Sequence, residues 1–226
     1  MYIFSNLAIS LDGKIATPNR KHLPLGTPLD RKQMHVLRRK TDAILMGATS
    51  LRAFRRFCRA DGKKGSQPAN IILSSRLEGI SPRWPFFQDA SVRRILFVTS
   101  VVTPARARQF EKTSELVTLR PPRKGSGKDP IALQVVRELE MRGISRLLVE
   151  GGGGVMWDFV EQDLIDEFHV TLTPWIIGGK DSPTLVDGAG FTSGDLLKLQ
   201  LAGVRRVRDE LYLVYRRRRG NLQRKR

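Results

Sequence analysis

Short apolar, β-branched runs alternate with longer polar-faced stretches along the chain, and this alternation predicts most of the architecture. YIFSNLAI (2–9), DAILMG (42–47), NIILSS (70–75), RILFVTS (94–100), ELVTL (115–119), RLLVEG (146–151) and EFHVTLTP (167–174) have the length and composition of strands. Several are apolar almost throughout, the pattern of strands covered on both faces by helices. Between them, DRKQMHVLRRK (30–40), TPARARQFEKT (103–113) and DPIALQVVRELEMRG (129–143) read as helices. The last places Ile131, Val135, Leu139 and Met141 near helical spacing, with Asp129 as N-cap, Pro130 at the first helical position and Gly143 as terminator. The rhythm changes at LLKLQLAGVRRVRDELYLVYRR (196–217), two β-runs joined around Asp209–Glu210. The expected fold is therefore α/β: a mostly parallel central sheet flanked by helices, with a C-terminal antiparallel hairpin at its edge. The loops 58–69 and 120–130 are too short to demand a domain boundary, so one domain over 1–215 precedes a basic tail, 216–226.

Composition changes this picture at one point only. With 226 residues, 40% hydrophobic and 27% charged, the chain has the make-up of an ordinary globular protein. No run of about 18 apolar residues is present, which excludes a transmembrane helix on length. MYIFSNLAISLDGK has neither the basic start nor the apolar stretch of a signal peptide, and one cysteine cannot form an internal disulfide. The expected location is the cytoplasm. The net charge of +18 is the exception. Seven of the positive charges lie in RRRRGNLQRKR (216–226), which reads as a solvated tail, and a second excess spans Arg31 to Lys64. Such a field attracts nucleic acid and anionic metabolites alike. Signatures of RNA-binding modules are missing, which argues against nucleic acid.

Candidate chemistry gathers at strand ends. In LLVEGGGGVMWDFVEQ, Gly151, Gly152, Gly153 and Gly154 join a strand to a helix on which Val155, Phe159 and Val160 can face a core. Glycine here permits positive φ and close backbone approach, and a helix start offers N–H groups to an anion; a tight packing turn without a ligand has the same pattern. Glu150 at the strand end faces the crevice of an open α/β sheet or caps the helix. SLDGKIA closes the first strand with Asp12–Gly13 and projects Lys14. MGATS brings Gly47, Thr49 and Ser50 before a helical LRAF, as helix caps or as ligand contacts. NIILSSR ends in Ser74, Ser75 and Arg76, hydroxyls plus guanidinium suited to a phosphate. Four such ends describe an anion-binding crevice along one sheet edge.

SNLAISLDGKIA, DAILMGATS, LLVEGGGGVMWDF and LIDEFHVTLTPWIIGGKDSPTLVDGAGF resemble the reductases of riboflavin biosynthesis, the RibD C-terminal-like domains, and in particular the stand-alone archaeal and fungal type. The similarity runs to about Tyr215, and the wider fold is that of dihydrofolate reductase. The resemblance implies NADPH, with the 2′-phosphate on Ser74, Ser75 and Arg76, the pyrophosphate turn at Gly47, Thr49 and Ser50, phosphates at Gly151–Gly154, and Thr99 along the path. It implies a phosphorylated ribosylaminopyrimidine bound by Asn6, Ser10, Asp12, Lys14, Arg38 and Glu150. Reduction of its ribosyl to a ribityl group would have Lys14 and Glu150 as electrostatic or proton-handling partners, in a homodimer. The family pattern of Asp-Asp-Pro and Leu-Thr after the Gly-x-x-Thr turn is replaced here by LRAFRRFCRADGKKG, with Arg52, Arg55, Arg56 and Arg59. That departure keeps open a pterin-like or more anionic substrate, or a basic binding protein on the same scaffold. No zinc-deaminase signature precedes the domain, and no metal is expected.

The remaining polar residues have plainer readings. His22, His35 and His169 lack metal-ligand spacing, and Asp163, Asp166 and Glu167 read as a solvated turn. Trp157 and Trp175 read as packing or dimer residues. Cys58, in an arginine-rich loop, is expected to have a lowered pKa without a partner base.

Overall fold

In the computed structural model, which describes residues 1–21, 23–62, 65–122 and 129–218, the chain forms one nine-stranded sheet. The strands are β1 (Tyr2–Ile9), β2 (Ala43–Gly47), β3 (Ala69–Ser74), β4 (Arg94–Val98), β5 (Glu115–Thr118), β6 (Arg146–Val149), β7 (Glu167–Leu172), β8 (Leu199–Val207) and β9 (Glu210–Arg217). Their spatial order is β5-β4-β3-β2-β6-β1-β7-β9-β8. Pairing is parallel from β5 through β7 and antiparallel for β7–β9 and β9–β8.

The apolar strands are apolar on both faces because both faces are covered. Ile3, Leu45, Ile71, Ile95 and Phe97 point to one side, packing with the buried residues of α5 (Ile131–Met141) and α6 (Gly153–Glu161). Their neighbours Phe4, Ile44, Met46, Ile72, Leu96 and Val98 point to the other side. That second core takes in residues of α1 (Pro28–Arg39), α2 (Ala48–Phe54) and α3 (Pro85–Gln88). The period-two alternation of strand side chains thus sorts one continuous apolar run into two cores. A fourth short helix in chain order, α4 (Pro104–Arg108), buries none of its residues.

Local expectations fail where side-chain geometry overrides pattern. Met141 is 72% exposed, and Ala132 fills the core-facing position on α5 instead; Met141 lies only two residues past Leu139, on the opposite face. The N-cap of α5 is Pro130 rather than Asp129, whose carboxylate is drawn to Arg137. Gly143 does follow the helix with φ +76. Thr49 and Ser50 are not caps: α2 begins at Ala48 behind Gly47, putting both hydroxyls in its first turn. The hairpin turn falls at Arg208–Asp209, with Arg208 at φ 54, while Glu210 opens β9 and is buried.

Asp163, Asp166 and Glu167 are not a solvated turn. Asp166 accepts from the Ile3 amide at 2.9 Å and pairs with Arg217, Asp163 lies against Arg217, and Glu167 takes Arg216 and His169, each at 2.7 Å. Strand β9 therefore runs two residues past Tyr215, and the first two arginines of the basic end are fastened to β7 and the turn before it. Residues 219–226, like His22 and parts of the 58–69 and 120–130 loops, lie outside the described residues.

Candidate functional site

The carboxyl ends of β1, β2, β3, β4 and β6 open on a cavity of about 1160 Å³, the edge where open α/β sheets bind ligands. One wall is mostly backbone and small polar side chains. Gly47, Thr49 and Ser50 line it from the β2–α2 junction, Ser74 and Ser75 from the end of β3, Thr99 from the end of β4, and Gly152, Gly153 and Gly154 from the start of α6. Register explains the convergence: β2 lies between β3 and β6, so their C-terminal turns emerge side by side. Ser100 and Thr99 donate their amides to Ser75 and Ser74 carbonyls, locking the β4 turn to the β3 turn. The Ser74 hydroxyl closes its own turn onto the Arg76 carbonyl.

The four glycines do different jobs. A Cβ on Gly151 would lie 2.9 Å from Met46 Cβ and 3.0 Å from its Cα, so this glycine lets the β6 end pack against β2, and it does not line the cavity. Gly152 is the N-cap of α6 with φ +73, a left-handed conformation that disfavours side chains. Gly153 is wrapped by Asp187, whose carboxylate would meet a Cβ at 2.3 Å while holding the Thr184 amide and hydroxyl. Gly154 has nothing within 4 Å and leaves the first turn of α6 open to the cavity. No side chain caps either α2 or α6. Their first-turn N–H groups, with the hydroxyls beside them, suit the phosphates of an extended nucleotide. Arg76 is exposed at the rim, outside the lining residues, with Glu78 at 3.4 Å.

The opposite wall is made of long-range side-chain ties. Arg38 of α1 donates to both Glu150 oxygens, Nε to Oε1 at 2.8 Å and NH2 to Oε2 at 2.6 Å, with side chains 11% and 8% exposed. Its NH1 also reaches the Arg59 carbonyl at 3.1 Å. Burial alone would weaken Arg38 as a base, but Glu150 foremost, together with Cys58 and Asp61, offsets it and holds the guanidinium more firmly protonated than usual. Half-buried Asn6 lines the same wall from β1.

Three other expected substrate residues are not brought into this lining. Asp12 accepts from the Ser10 hydroxyl at 2.6 Å and from the Ile177 and Gly178 amides at 3.1 and 2.7 Å. The Ser10 bond first, then those two amides, lower its pKa to about 2. Buried Ser10 also accepts from the Lys14 amide, and Lys14 Nζ donates to the Ser182 carbonyl at 3.3 Å. These residues fasten the loop after β1 to the 177–184 segment, and the loop presents Ile15 and Ala16 to the cavity.

Cys58 is buried beside Arg38 and Glu150. Burial pushes its thiol up and outweighs the opposing arginine, against the expectation of a lowered pKa. Of the four arginines in the departing loop, only Arg52 and Arg56 line the cavity, joined by Phe54 and Phe57. Arg55, at φ 56 after α2, stacks over Trp84, and Arg59 over Phe57. Trp157 packs on Phe191, whereas Trp175 is 57% exposed and donates to the Leu25 carbonyl.

The sequence reading missed Asp30, Asp158 and Asp187, all of which line the cavity. As an acid in the first turn of a helix, Asp30 has the look of an ordinary dipole partner, and no nearby motif marks it. Against these acids and Glu150 stand Arg20, Lys21, Arg31, Arg38, Arg52 and Arg56, so the lining favours an anionic ligand. Among the described residues no group of three or more His, Cys, Asp or Glu is placed to hold a metal ion.

Comparisons with known proteins point to one family. Residues 1–213 match the RibD C-terminal domain. The chain is similar to the 2,5-diamino-6-ribosylamino-4(3H)-pyrimidinone 5′-phosphate reductase of Methanothermobacter thermautotrophicus, 30% identical over 95% of this chain and 97% of that one. It is 29% identical to the protein of the same name from Archaeoglobus fulgidus, over 91% of this chain and 93% of the relative. Among solved structures, the diaminohydroxyphosphoribosylaminopyrimidine deaminase/5-amino-6-(5-phosphoribosylamino)uracil reductase of Thermotoga maritima superimposes with a TM-score of 0.76 at 22% identity. That match covers 96% of this chain and 56% of the other, so the chain spans little more than half of that two-activity protein.

Proposed function

The chain belongs to the RibD C-terminal domain family, and from that premise we propose that it reduces a ribosylaminopyrimidine 5′-phosphate to its ribitylamino product in riboflavin biosynthesis. It is an oxidoreductase, in keeping with the reductases to which it is similar over nearly their whole length. The observation that carries the reading is the meeting, in one cavity, of a phosphate-suited backbone wall and the buried Arg38–Glu150 wall.

A nicotinamide cofactor, NADPH in this proposal, supplies the hydride when bound. Gly47, Thr49, Ser50, Thr99 and the start of α6 hold its phosphates, while Ser74, Ser75 and the rim guanidinium of Arg76 hold a 2′-phosphate. Asn6 and the fixed edge of Arg38–Glu150 orient the pyrimidine. Ser10, Asp12 and Lys14 act through the loop they brace, which sets Ile15 and Ala16 against the reacting groups and keeps water from them. In this reading the reductase unit runs through β9, works as a cytoplasmic homodimer, and makes no use of the basic end in catalysis.

Calorimetric titration with NADPH and NADH tests the cofactor assignment. Arg76→Ala is expected to weaken NADPH about tenfold and to leave NADH unchanged, since one charge-assisted hydrogen bond at an exposed rim is lost. Equal loss for both nucleotides refutes the 2′-phosphate role. Turnover of the ribosylaminopyrimidine phosphate but not of dihydrofolate is the expected substrate result. The reverse preference overturns it.

A further inference from the structure

Asp30 of α1 feels two other carboxyl groups, Glu150 at the end of β6 and Glu210 at the start of β9, and the structure treats the three unequally. Glu150 has both oxygens held by Arg38. Glu210, 3% exposed, accepts from the Thr27 amide at 2.8 Å, the Thr27 hydroxyl at 2.7 Å and the Tyr212 hydroxyl at 2.6 Å. Each of these two thus has both oxygens taken up by partners. Asp30 has no ion-pair partner within 4 Å among the described residues, and Arg31, the next residue of its own helix, acts on it only weakly. Buried Thr171 is the polar neighbour that favours its ionised form. The backbone at Gly26 passes so close that a Cβ there would lie 2.2 Å from Asp30 Oδ2. Of the three groups, Asp30 is the one that both lines the cavity and lacks a cation or a full set of donors.

Like charges that cannot all ionise leave the proton on the least supported member. Here that member is Asp30. Burial is the largest influence and pushes its carboxyl up; the Thr171 hydroxyl opposes it, Glu210 and Glu150 add to the rise, and Arg31 opposes it least. The two residues that the sequence offers for proton handling are committed elsewhere: Glu150 to Arg38, and Lys14 to the Ser182 carbonyl outside the lining.

We propose that Asp30 is the proton donor of the reduction. The proposal rests on the reductase reading above. In the opened ribosylamine the carbon–nitrogen double bond accepts a hydride at carbon from the dihydronicotinamide, which is oxidised. The carbon–nitrogen π bond breaks toward nitrogen, and the nitrogen takes the Asp30 proton to become the amine. Asp30 is left as a carboxylate beside Glu150 and Glu210, and this crowding drives it to regain a proton from water entering the cavity.

The test combines steady-state turnover of the ribosylaminopyrimidine 5′-phosphate across pH with carboxyl ¹³C NMR of the whole protein. In the wild type, kcat is expected to fall on the alkaline side as Asp30 ionises. Asp30→Asn should lower kcat by roughly 100-fold or more and abolish that alkaline limb. It should leave NADPH affinity unchanged and the melting temperature at pH 8 equal or higher, because a crowded carboxylate is gone. Asp30→Glu should restore part of kcat together with the limb. The Asp30 carboxyl signal, assigned by its loss in Asp30→Asn, should titrate above the ordinary aspartate range. A kcat within about threefold of wild type in Asp30→Asn, or a lowered kcat with the limb intact, overturns the role. So does an Asp30 midpoint at or below that of an exposed aspartate, a result that needs no variant to be active. Wild-type protein that neither binds a nicotinamide nucleotide nor turns over substrate removes the reductase reading itself. Wild-type turnover with Asp30→Asn unaffected removes only the proton donor.

Discussion

The two walls of the cavity are built on different principles. The wall over β2, β3, β4 and the start of α6 consists of residues at or within a few positions of a strand end, held by backbone geometry and parallel register. The wall over β1 and α1 is held by side chains tied across the sequence: Arg38 to Glu150 over 112 residues in the lining itself, and behind it Asp12 to Ile177 over 165 and Thr27 to Glu210 over 183. A backbone-built surface tolerates exchange of side chains as long as glycines remain where φ or packing demands them. A surface built from side-chain ties fails when any one partner is removed. Under the proposed function the first wall would take the nucleotide that many reductases share, and the second would set substrate preference.

The contrast breaks most sharply at Glu150. Replacing it with Ala leaves the Arg38 guanidinium buried without a counter-charge, and loss of one partner of such a pair costs about 3–5 kcal/mol. Chemical denaturation should show a correspondingly lower unfolding free energy for Glu150→Ala. The double replacement Arg38→Leu with Glu150→Leu should recover most of it, since a well-packed apolar pair offsets the lost charges. A single variant that loses less than about 1 kcal/mol, the range of exposed pairs, would show the tie to be a surface contact.

On the backbone-built wall the glycines sharpen the comparison with effects of opposite sign. Gly151→Ala pushes a methyl into Met46 at the β2 backbone and should cost about 1–3 kcal/mol, the range for overpacking. Gly154→Ala meets open space within α6 and should stabilise by roughly 0.5–1 kcal/mol through helix propensity. The same added methyl stands where a phosphate would approach, so Gly154→Ala should also weaken nucleotide binding. Equal destabilisation by both substitutions would refute the division of labour among these glycines.

The same contrast accounts for what the sequence disclosed. Strand identities, the parallel arrangement and the C-terminal hairpin were legible because apolar runs and turn residues are local signals. So was the convergence of Gly47, Thr49, Ser50, Ser74, Ser75 and Gly152–Gly154, each standing at the end of such a run, whereas Thr99 came only with the family resemblance. Resemblance to a known family supplied Arg38 and Glu150 as site residues but not their mutual ion pair. Ser10, Asp12 and Lys14 form a bracing loop in the structure, a role that requires knowing that the 177–184 segment folds back on them. Asp30 was invisible because its character comes first from burial in the fold and then from residues far off in sequence, Thr171, Glu210 and Glu150. Cys58 was misjudged for a related reason: nearby arginines in sequence suggested a low pKa, but burial decides it. Arg216 and Arg217 looked like a solvated tail because their partners, Glu167, Asp163 and Asp166, lie some fifty residues earlier.

The smallest expected effect lies at Asp12, where the long-range wall reaches solvent. Its folded pKa of about 2 is below the model-peptide value of 3.8, depressed by the Ser10 hydroxyl and then by the Ile177 and Gly178 amides. A group with a depressed folded pKa binds protons more weakly when folded, so its contribution is present above about pH 4 and is lost as pH falls toward 2. Melting temperatures of wild type and Asp12→Asn should therefore differ at pH 7, with the variant lower, and converge as pH is taken from 4 toward 2. The exposed carboxylate is screened by solvent, so added salt should narrow the gap at pH 7 without removing it, because two of its partners are backbone amides. If the loop were held chiefly by Lys14 and the Ser182 carbonyl, the two proteins would melt together at every pH. Asp12 would then be a passenger of the turn rather than the clamp that joins the end of β1 to the 177–184 segment.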